Sequence, residues 1–377
     1  MHVEEVFRER FGSDPTLVTI APGRVNLIGE HTDYNEGFVL PAAIDRHVKV
    51  AVSPTEGPSE IFSVQRDRGN AFDTRELAPG TGRGWSGYVA GVAWSMARAS
   101  KRILPNVRAV VDSTLPIGAG VSSSAALELA FAVAWNSLAD LDLPNEELAK
   151  LAQVAENEYV GVNCGIMDQM ASAMGKSGCA MFLDTKSLEI TYARIPDDLV
   201  IVLCDTQKSR SLAGSAYNER RKECEAACRA LGVTSLRNVP LVDLESHWDS
   251  MPETIYNRAL HVVTENARCI SFVDALDKRN SNKIRMLMQA SHESLRDHYA
   301  VSCEELDAMA EAAWDAPGCV GARMTGAGFG GACVALVEES RVDAFIRSTG
   351  SRYQMKTGTE GVFTSCRASR GAHVLRN

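Results

Sequence analysis

No apolar run among the 377 residues is long enough to span a bilayer. The opening MHVEEVFRERFG reads as a polar amphipathic helix with acids in it, not as a signal peptide. The ten cysteines form no CxxC pair, and no Cys/His cluster has the spacing of zinc ligands. Cys224 and Cys228 lie one helical turn apart, a spacing that suits packing better than bridging. Ten thiols without a framework point to a reducing cytoplasm. There is no basic excess: the net charge is −9, so nucleic acid is not expected as a general partner. An anionic small ligand needs only a local positive potential and stays open. The chain has no GxxxxGK[ST] loop and lacks the VAIK, HRD and DFG set, so any phosphotransferase here must use another fold. Repeats, low-complexity segments and long linkers are absent as well.

What is present is ordinary globular composition, 45% hydrophobic and 23% charged, in a chain long enough for two domains with sizeable cores. LVTIAPG reads as a strand running into a turn, HVKVAVSP (47–54) as a strand ending at Pro54, and SEIFSVQ as another. A polar turn region with Gly69, Gly80, Gly82 and Gly84 follows, then a helix from Trp85 to about Ala99. VRAVVDSTLP is a strand and SSAALELAFAVAWNSLAD an apolar helix buried nearly all round. NEELAKLAQVAENEYVG is a helix with Asn145 as N-cap after Pro144. LVIVLCDT (199–206) opens the second half as a buried strand, followed by a helix closed at Gly232 and helices through 253–315. A Gly-rich turn between two strands comes next, and a helix and a strand finish the chain. The mixture lacks a strict βαβ rhythm, so the expected class is α+β in two domains, 1–197 and 198–377.

Four stretches carry polar chemistry. GRVNLIGEHTDYNEG (23–37) gathers Arg24, Glu30, His31, Asp33 and Glu36 beside Asn26 and Asn35. A solvated loop, a metal site and a polyol-binding site all fit it. LPIGAGVSSSAALELA (115–130) puts Gly118 and Gly120 before Ser122, Ser123 and Ser124 at a helix start. Backbone N–H groups and the positive end of the helix dipole there could face an anion, and the hydroxyls could bond phosphate or ligate Mg²⁺. A plain N-cap after a Gly turn is the competing reading; three successive serines favour the phosphate cradle. In EYVGVNCGIMDQMAS (158–172), Asp168 stands among apolar and amide residues. It is either a helix-start cap or a catalytic carboxylate kept ionised by a cation, for which Arg24 is the natural candidate. Glu156 could supply a hard oxygen to Mg²⁺ or could be solvated surface. GAGFGG (326–331) matches GxGxxG, but ACVALVEE after it alternates like a strand, so a hairpin lining a ligand cleft fits better than a dinucleotide site.

GRVNLIGEHTDYNEGFVLP, LPIGAGVSSSAALE, GIMDQ and GARMTGAGFGGA together resemble the motifs of galactokinases, within the GHMP small-molecule kinases. The first is the specific signature; the second and last are shared more widely in the superfamily. The resemblance continues through SAYNERRKECE, RALHVVTENAR and SHESLRDHYAVSCEELD, so it covers essentially the whole chain. It implies a two-domain GHMP kinase fold with the active site in the cleft between domains. It also implies Mg²⁺ with ATP as co-substrate, and phosphorylation of the anomeric hydroxyl of galactose. By motif position, Arg24 and Asp168 would be the catalytic pair, and Glu30, His31, Thr32, Asp33, Gly165 and Tyr217 would contact the sugar. Gly118, Ala119, Gly120, Val121, Ser122, Ser123 and Ser124 would hold the triphosphate, with Ser124 and Glu156 on magnesium and Trp85 near adenine. One departure is Ser209, where galactokinases usually carry a basic residue; Lys208 and Arg210 flank it.

The implied chemistry depends on positioning and charge neutralisation. Asp168 would orient or accept the C1 hydroxyl proton and Arg24 would stabilise developing negative charge. A GHMP kinase for an amino sugar, arabinose or another aldohexose is the alternative enzyme. A non-catalytic galactose sensor is the alternative class, and the intact GVSSSA and Asp168 argue against it. The expected partners are a sugar and ATP, in a monomer, with neither nucleic acid nor membrane.

Overall fold

The computed structural model describes residues 3–82, 84–116, 119–209 and 213–376. The first half runs α1 (Val3–Phe11), β1 (Leu17–Asn26), β2 (Phe38–Val39), β3 (Pro41–Thr55), β4 (Ser59–Ser63), β5 (Arg68–Phe72), α2 (Trp85–Ser100), β6 (Asn106–Ser113), α3 (Ser123–Leu138), α4 (Asn145–Val154), α5 (Met167–Met174), β7 (Cys179–Asp184) and β8 (Ile190–Arg194). The second runs β9 (Leu199–Asp205), α6 (Ala213–Leu231), α7 (Leu241–Glu245), α8 (Glu253–Asp277), α9 (Ser281–Asp297), α10 (Glu304–Trp314), β10 (Cys319–Thr325), β11 (Ala332–Glu338), α11 (Val342–Thr357), β12 (Val362–Cys366) and β13 (His373–Arg376). One sheet has the order β13-β1-β3-β6-β4-β5, a second β10-β11-β9-β12, and a small third β2-β7-β8. Only β4 and β6 pair in parallel among the described strands. The finish is a helix and two strands, and the last, β13, crosses back to pair with β1 in the first sheet.

α3 is the buried axis of the first half. From Ala125 to Trp135 every residue is buried, as its unbroken apolar run requires. It packs on β1 and β3 and against α2, α4 and α5. Burying Phe131 and Trp135 is worth roughly 2–3 kcal/mol each, and the Trp135 indole N–H donates to Pro105 O at 3.0 Å. β9, buried throughout, is the matching centre of the second sheet.

Several elements depart from the sequence reading. β1 does not turn at Gly23 but continues to Asn26 through a bulge between Pro22 and Arg24. A Cβ at residue 23 would lie 2.4 Å from Leu115 Cδ2 and 2.6 Å from Val121 O, so glycine lets the strand press against the serine loop. β3 begins at Pro41, six residues before the expected start, and β5, β7 and β8 lie in stretches read as turns or not assigned. Asn145 is not a cap: Pro144 holds that position, and the Asn145 amide donates to Ala173 O and Ala372 O. The helix after it loosens into a π-turn over Ala155–Val160, which turns Glu156 and Tyr159 inward.

Candidate active site

The Gly23 bulge aims Arg24 at the loop before α3. Its backbone N–H donates to Val121 O at 3.1 Å. The buried guanidinium then meets Asp168 in the first turn of α5: Nε and Nη2 each lie 2.7 Å from Oδ1, and Nη1 donates to Gly120 O at 2.8 Å. Burial opposes the charge on Arg24, but Asp168 and Glu30 outweigh it and raise the pKa. Ser122 donates its hydroxyl to Asp168 Oδ2. The cap reading of Asp168 fails, whereas Ser122 does hold the N-cap position of α3. Ser122 sits at the start of α3 with φ +57 and makes no side-chain cap, and the cap position of α5 belongs to Ile166, not Asp168.

Two cavities meet at this pair. One, about 380 Å³, is lined by Arg24, Glu30, His31, Asp33, Gly161, Val162, Cys164, Gly165, Met167, Asp168, Tyr217, Asn218, Gly326 and Ala327. The other, about 540 Å³, is lined by Arg24, Pro116, Gly120, Val121, Ser122, Ser123, Ser124, Asp168, Asp205, Gln207, Lys208, Ser209 and Ala327. Arg24, Asp168 and Ala327 belong to both walls. A third cavity, about 390 Å³, continues past Ser123 and Ser124 to Trp85, Tyr88, Leu115 and Leu127. The Trp85 indole nitrogen is buried without a protein partner. Ala119 is buried and lines none of these three cavities. Gly118 and Arg210 lie outside the described residues.

The signature loop divides its work between the cavity and the fold. Glu30 Oε1 accepts from Gly326 N–H at 2.6 Å and Thr325 O–H at 3.1 Å, with the buried Arg323 guanidinium 3.5 Å away. One oxygen of Glu30 therefore ties the loop to the β10–β11 hairpin. Thr32 does not line the cavity; its hydroxyl donates to Gly29 O and Phe38 O. His31 has φ +62, an uncommon conformation outside glycine. Its Nε2 reaches Ala327 O at 3.2 Å and can only donate there, so Nδ1 accepts from Tyr34 O–H at 2.9 Å. Tyr34 in turn bonds Tyr299, whose hydroxyl bonds Cys224. Burial drives the imidazole pKa down to about 3, leaving it neutral. Glu36 lines none of these cavities; it pairs with Lys186 in the open and takes the solvated role.

Asp33 is pressed against Gly165. A Cβ at residue 165 would fall 1.8 Å from Asp33 Oδ2, so no other residue fits there without movement. Burial, and then the charge of Asp168, push the Asp33 pKa up to about 7. Tyr217, from α6, closes the same wall, its phenol raised well above its usual pKa by burial.

Behind the serine loop lies an acid pair that the sequence reading half missed. Glu156 accepts from Gln169 Nε2 at 2.8 Å, and the same nitrogen lies 3.4 Å from Glu128. Burial and Asp168 raise Glu156 to about 7; burial and Glu156 raise Glu128 further. Glu128 Oε1 has no partner. The signal was available: Glu128 is the one acid inside an apolar helix, one turn after Ser124. Among the described residues, no group of three or more His, Cys, Asp or Glu is placed to hold a metal alone. Also missed were Cys164, Met167 and Asn218, beside motifs that were noticed.

Family models match in three places: the galactokinase galactose-binding signature over 5–54, the GHMP kinases N terminal domain over 87–176 and the GHMP kinases C terminal over 272–353. A galactokinase of Chloroflexus aggregans is 43% identical, with 96% of each chain covered. That of Roseiflexus sp. is 41% identical over 98% of this chain and 95% of its own. The chain belongs to the galactokinase family. The structure of Lactococcus lactis galactokinase complexed with galactose superposes with a TM-score of 0.94, at 36% identity over 99% of this chain and 98% of that one. A mevalonate kinase, at 18% identity and TM-score 0.66, shares the fold alone. The family places the chain among the GHMP kinases, which settles the α+β class expected from its elements. The signature match at 5–54 runs from α1 through β1 and the loop after it into β3. No described helix is long and apolar enough to cross a membrane.

Proposed function

We propose that this chain transfers the γ-phosphoryl group of ATP to the anomeric C1 hydroxyl of D-galactose, giving galactose 1-phosphate and ADP. The observation that carries the reading is the position of Arg24 and Asp168 on the shared wall of two cavities. A group bound in one can meet a group bound in the other only beside this pair.

In this reading the 380 Å³ cavity takes the sugar. Asp33, Tyr217, the backbone at Gly165 and the second oxygen of Glu30 would meet its hydroxyls. His31, with both ring nitrogens engaged, shapes the wall and holds Ala327. The cavity beside α3 takes the triphosphate on the loop 119–124 and the first helical turn, and adenine enters the apolar cavity at Trp85. Arg24 takes Asp168 Oδ1 through two nitrogens, so the C1 hydroxyl would be accepted by Oδ2 beside the Ser122 hydroxyl. Held by Arg24 and Ser122, Asp168 would act chiefly by orienting the nucleophile. Arg24 would neutralise charge developing on the transferred group.

Mg²⁺ would accompany the ATP. Ser124 and Glu156 offer hard oxygens, and the orphaned Glu128 oxygen marks an acid pair that a cation would relieve. The ion would hold the nucleotide phosphates and offset their charge; too few protein ligands gather to bind it without them. The chain would form two domains joined at 197/198, with β13 returning to the first sheet. It would act as a monomer, in the cytoplasm, where ten unbridged thiols are at home.

The test is steady-state phosphorylation across galactose, glucose, talose, 2-deoxygalactose, galactosamine, N-acetylgalactosamine and arabinose. Galactose should lead by at least an order of magnitude in kcat/KM over sugars lacking or inverting a hydroxyl. A stronger preference for another sugar would overturn the substrate assignment, and absence of ADP release with every sugar would overturn the kinase reading.

A further inference from the structure

We propose that Lys208 is a cation that receives the nucleotide's phosphates, and that it does so by leaving Glu305 as the nucleotide enters. The proposal rests on the triphosphate site argued above. A triphosphate carries several negative charges into a cavity whose wall already holds Asp168 and Asp205. Among the described residues of that wall the cations are Arg24 and Lys208. Arg24 is committed: three of its nitrogens are held by Asp168 and the Gly120 carbonyl, and moving it would strand a carboxylate. Ser209, next along the wall, brings only a hydroxyl.

Lys208 is held at its base by the backbone and at its tip by an exposed ion pair. Its carbonyl accepts from Gly331 N–H at 3.1 Å, and its own N–H reaches Thr206 Oγ1 at 3.2 Å. Its stem runs beside Gly330, where an added Cβ would lie 3.1 Å from Lys208 Cγ. The ammonium, on its unbranched four-carbon stem, lies 2.7 Å from Glu305. That pair is open to water, with Lys208 49% and Glu305 25% exposed, so it is weak and a multiply charged phosphate outcompetes it. Glu305 loses little on release, because it sits in the first turn of α10, where the helix dipole favours a negative charge.

The experiment titrates Mg-ATP by calorimetry into the wild type, Lys208→Met, Lys208→Arg and Glu305→Gln, without sugar, and measures both KM values. Lys208→Met should weaken ATP roughly ten- to hundredfold and leave the galactose KM within about twofold, since Lys208 lines only the nucleotide cavity. Lys208→Arg should restore most of the affinity, and Glu305→Gln should tighten ATP by up to about threefold. Wild-type affinity in Lys208→Met would overturn the assignment. A Glu305→Gln variant as weak as Lys208→Met would show that the ion pair itself, not its release, serves the site, and would overturn the switch. A wild type that binds no ATP would overturn the kinase reading together with this one.

Discussion

Gly165→Ala isolates one contact. Gly165 does not occupy a positive φ, so alanine brings no backbone strain there. Its effect is the new methyl group, which would sit 1.8 Å from Asp33 Oδ2 and 2.3 Å from Cγ. These atoms must part by more than ~1 Å, because close-packed interiors leave no overlap of that size. The other side of Asp33 is anchored, its carbonyl accepting from Thr185 O–H at 3.0 Å, so the carboxylate rather than the backbone should give way. A misplacement near 1 Å costs on the order of a hundredfold in a positioned reaction. We expect galactose kcat/KM to fall about 30- to 300-fold. The ATP KM should stay within about twofold, because Gly165 lines the sugar cavity and not the nucleotide cavity. Overpacking should cost ~1–3 kcal/mol of stability. A coupled ADP-release assay with both substrates varied, alongside thermal unfolding, reads all three. A folded variant with galactose kcat/KM within threefold of wild type would refute the placement of Asp33 against Gly165 or its role toward the sugar.

Asp33→Asn should trade function for stability in a pH-dependent way. With a folded pKa near 7 against 3.8 unfolded, the folded chain keeps a proton that the unfolded chain has lost. Wild-type stability then falls from about pH 4 to pH 7, by on the order of 1.4 kcal/mol per unit, and levels off above. The variant escapes this loss, so it should gain on wild type in unfolding free energy between pH 4.5 and 8 while its galactose KM rises tenfold or more; an equal stability gap at both pH values would contradict the origin given for the shift. Asp168→Ala should lose about a thousandfold or more in kcat while calorimetry still detects ATP binding. It should also lose stability by up to ~3–5 kcal/mol, since the buried Arg24 is left without its carboxylate. A near-normal kcat would remove Asp168 from the chemistry.

Some of this protein is written in its sequence at short range. The apolar run of α3, the buried strand β9 and the Gly-rich hairpin follow from local pattern, because each buries a face set by its own side chains. The polar stretches announced themselves the same way, as charges and serines without an apolar reason to be there. Their division of labour was not local. Asp168 lies 144 residues from Arg24, and Glu30 lies 296 from Gly326, so no window of sequence shows that one pair lines a cavity and the other ties a loop to a hairpin. Thr32 reads as a site residue and serves the backbone; Cys224 reads as packing and, with Tyr34 and Tyr299, fixes a histidine tautomer. The Gly23 bulge shows why the difference arises. Sequence determines that glycine is permitted there, but only the serine loop packed 2.4 Å from its missing side chain makes glycine necessary, and that contact aims Arg24. Local chemistry chose the residues; long-range packing chose their partners, since burial and distance are properties of the folded whole.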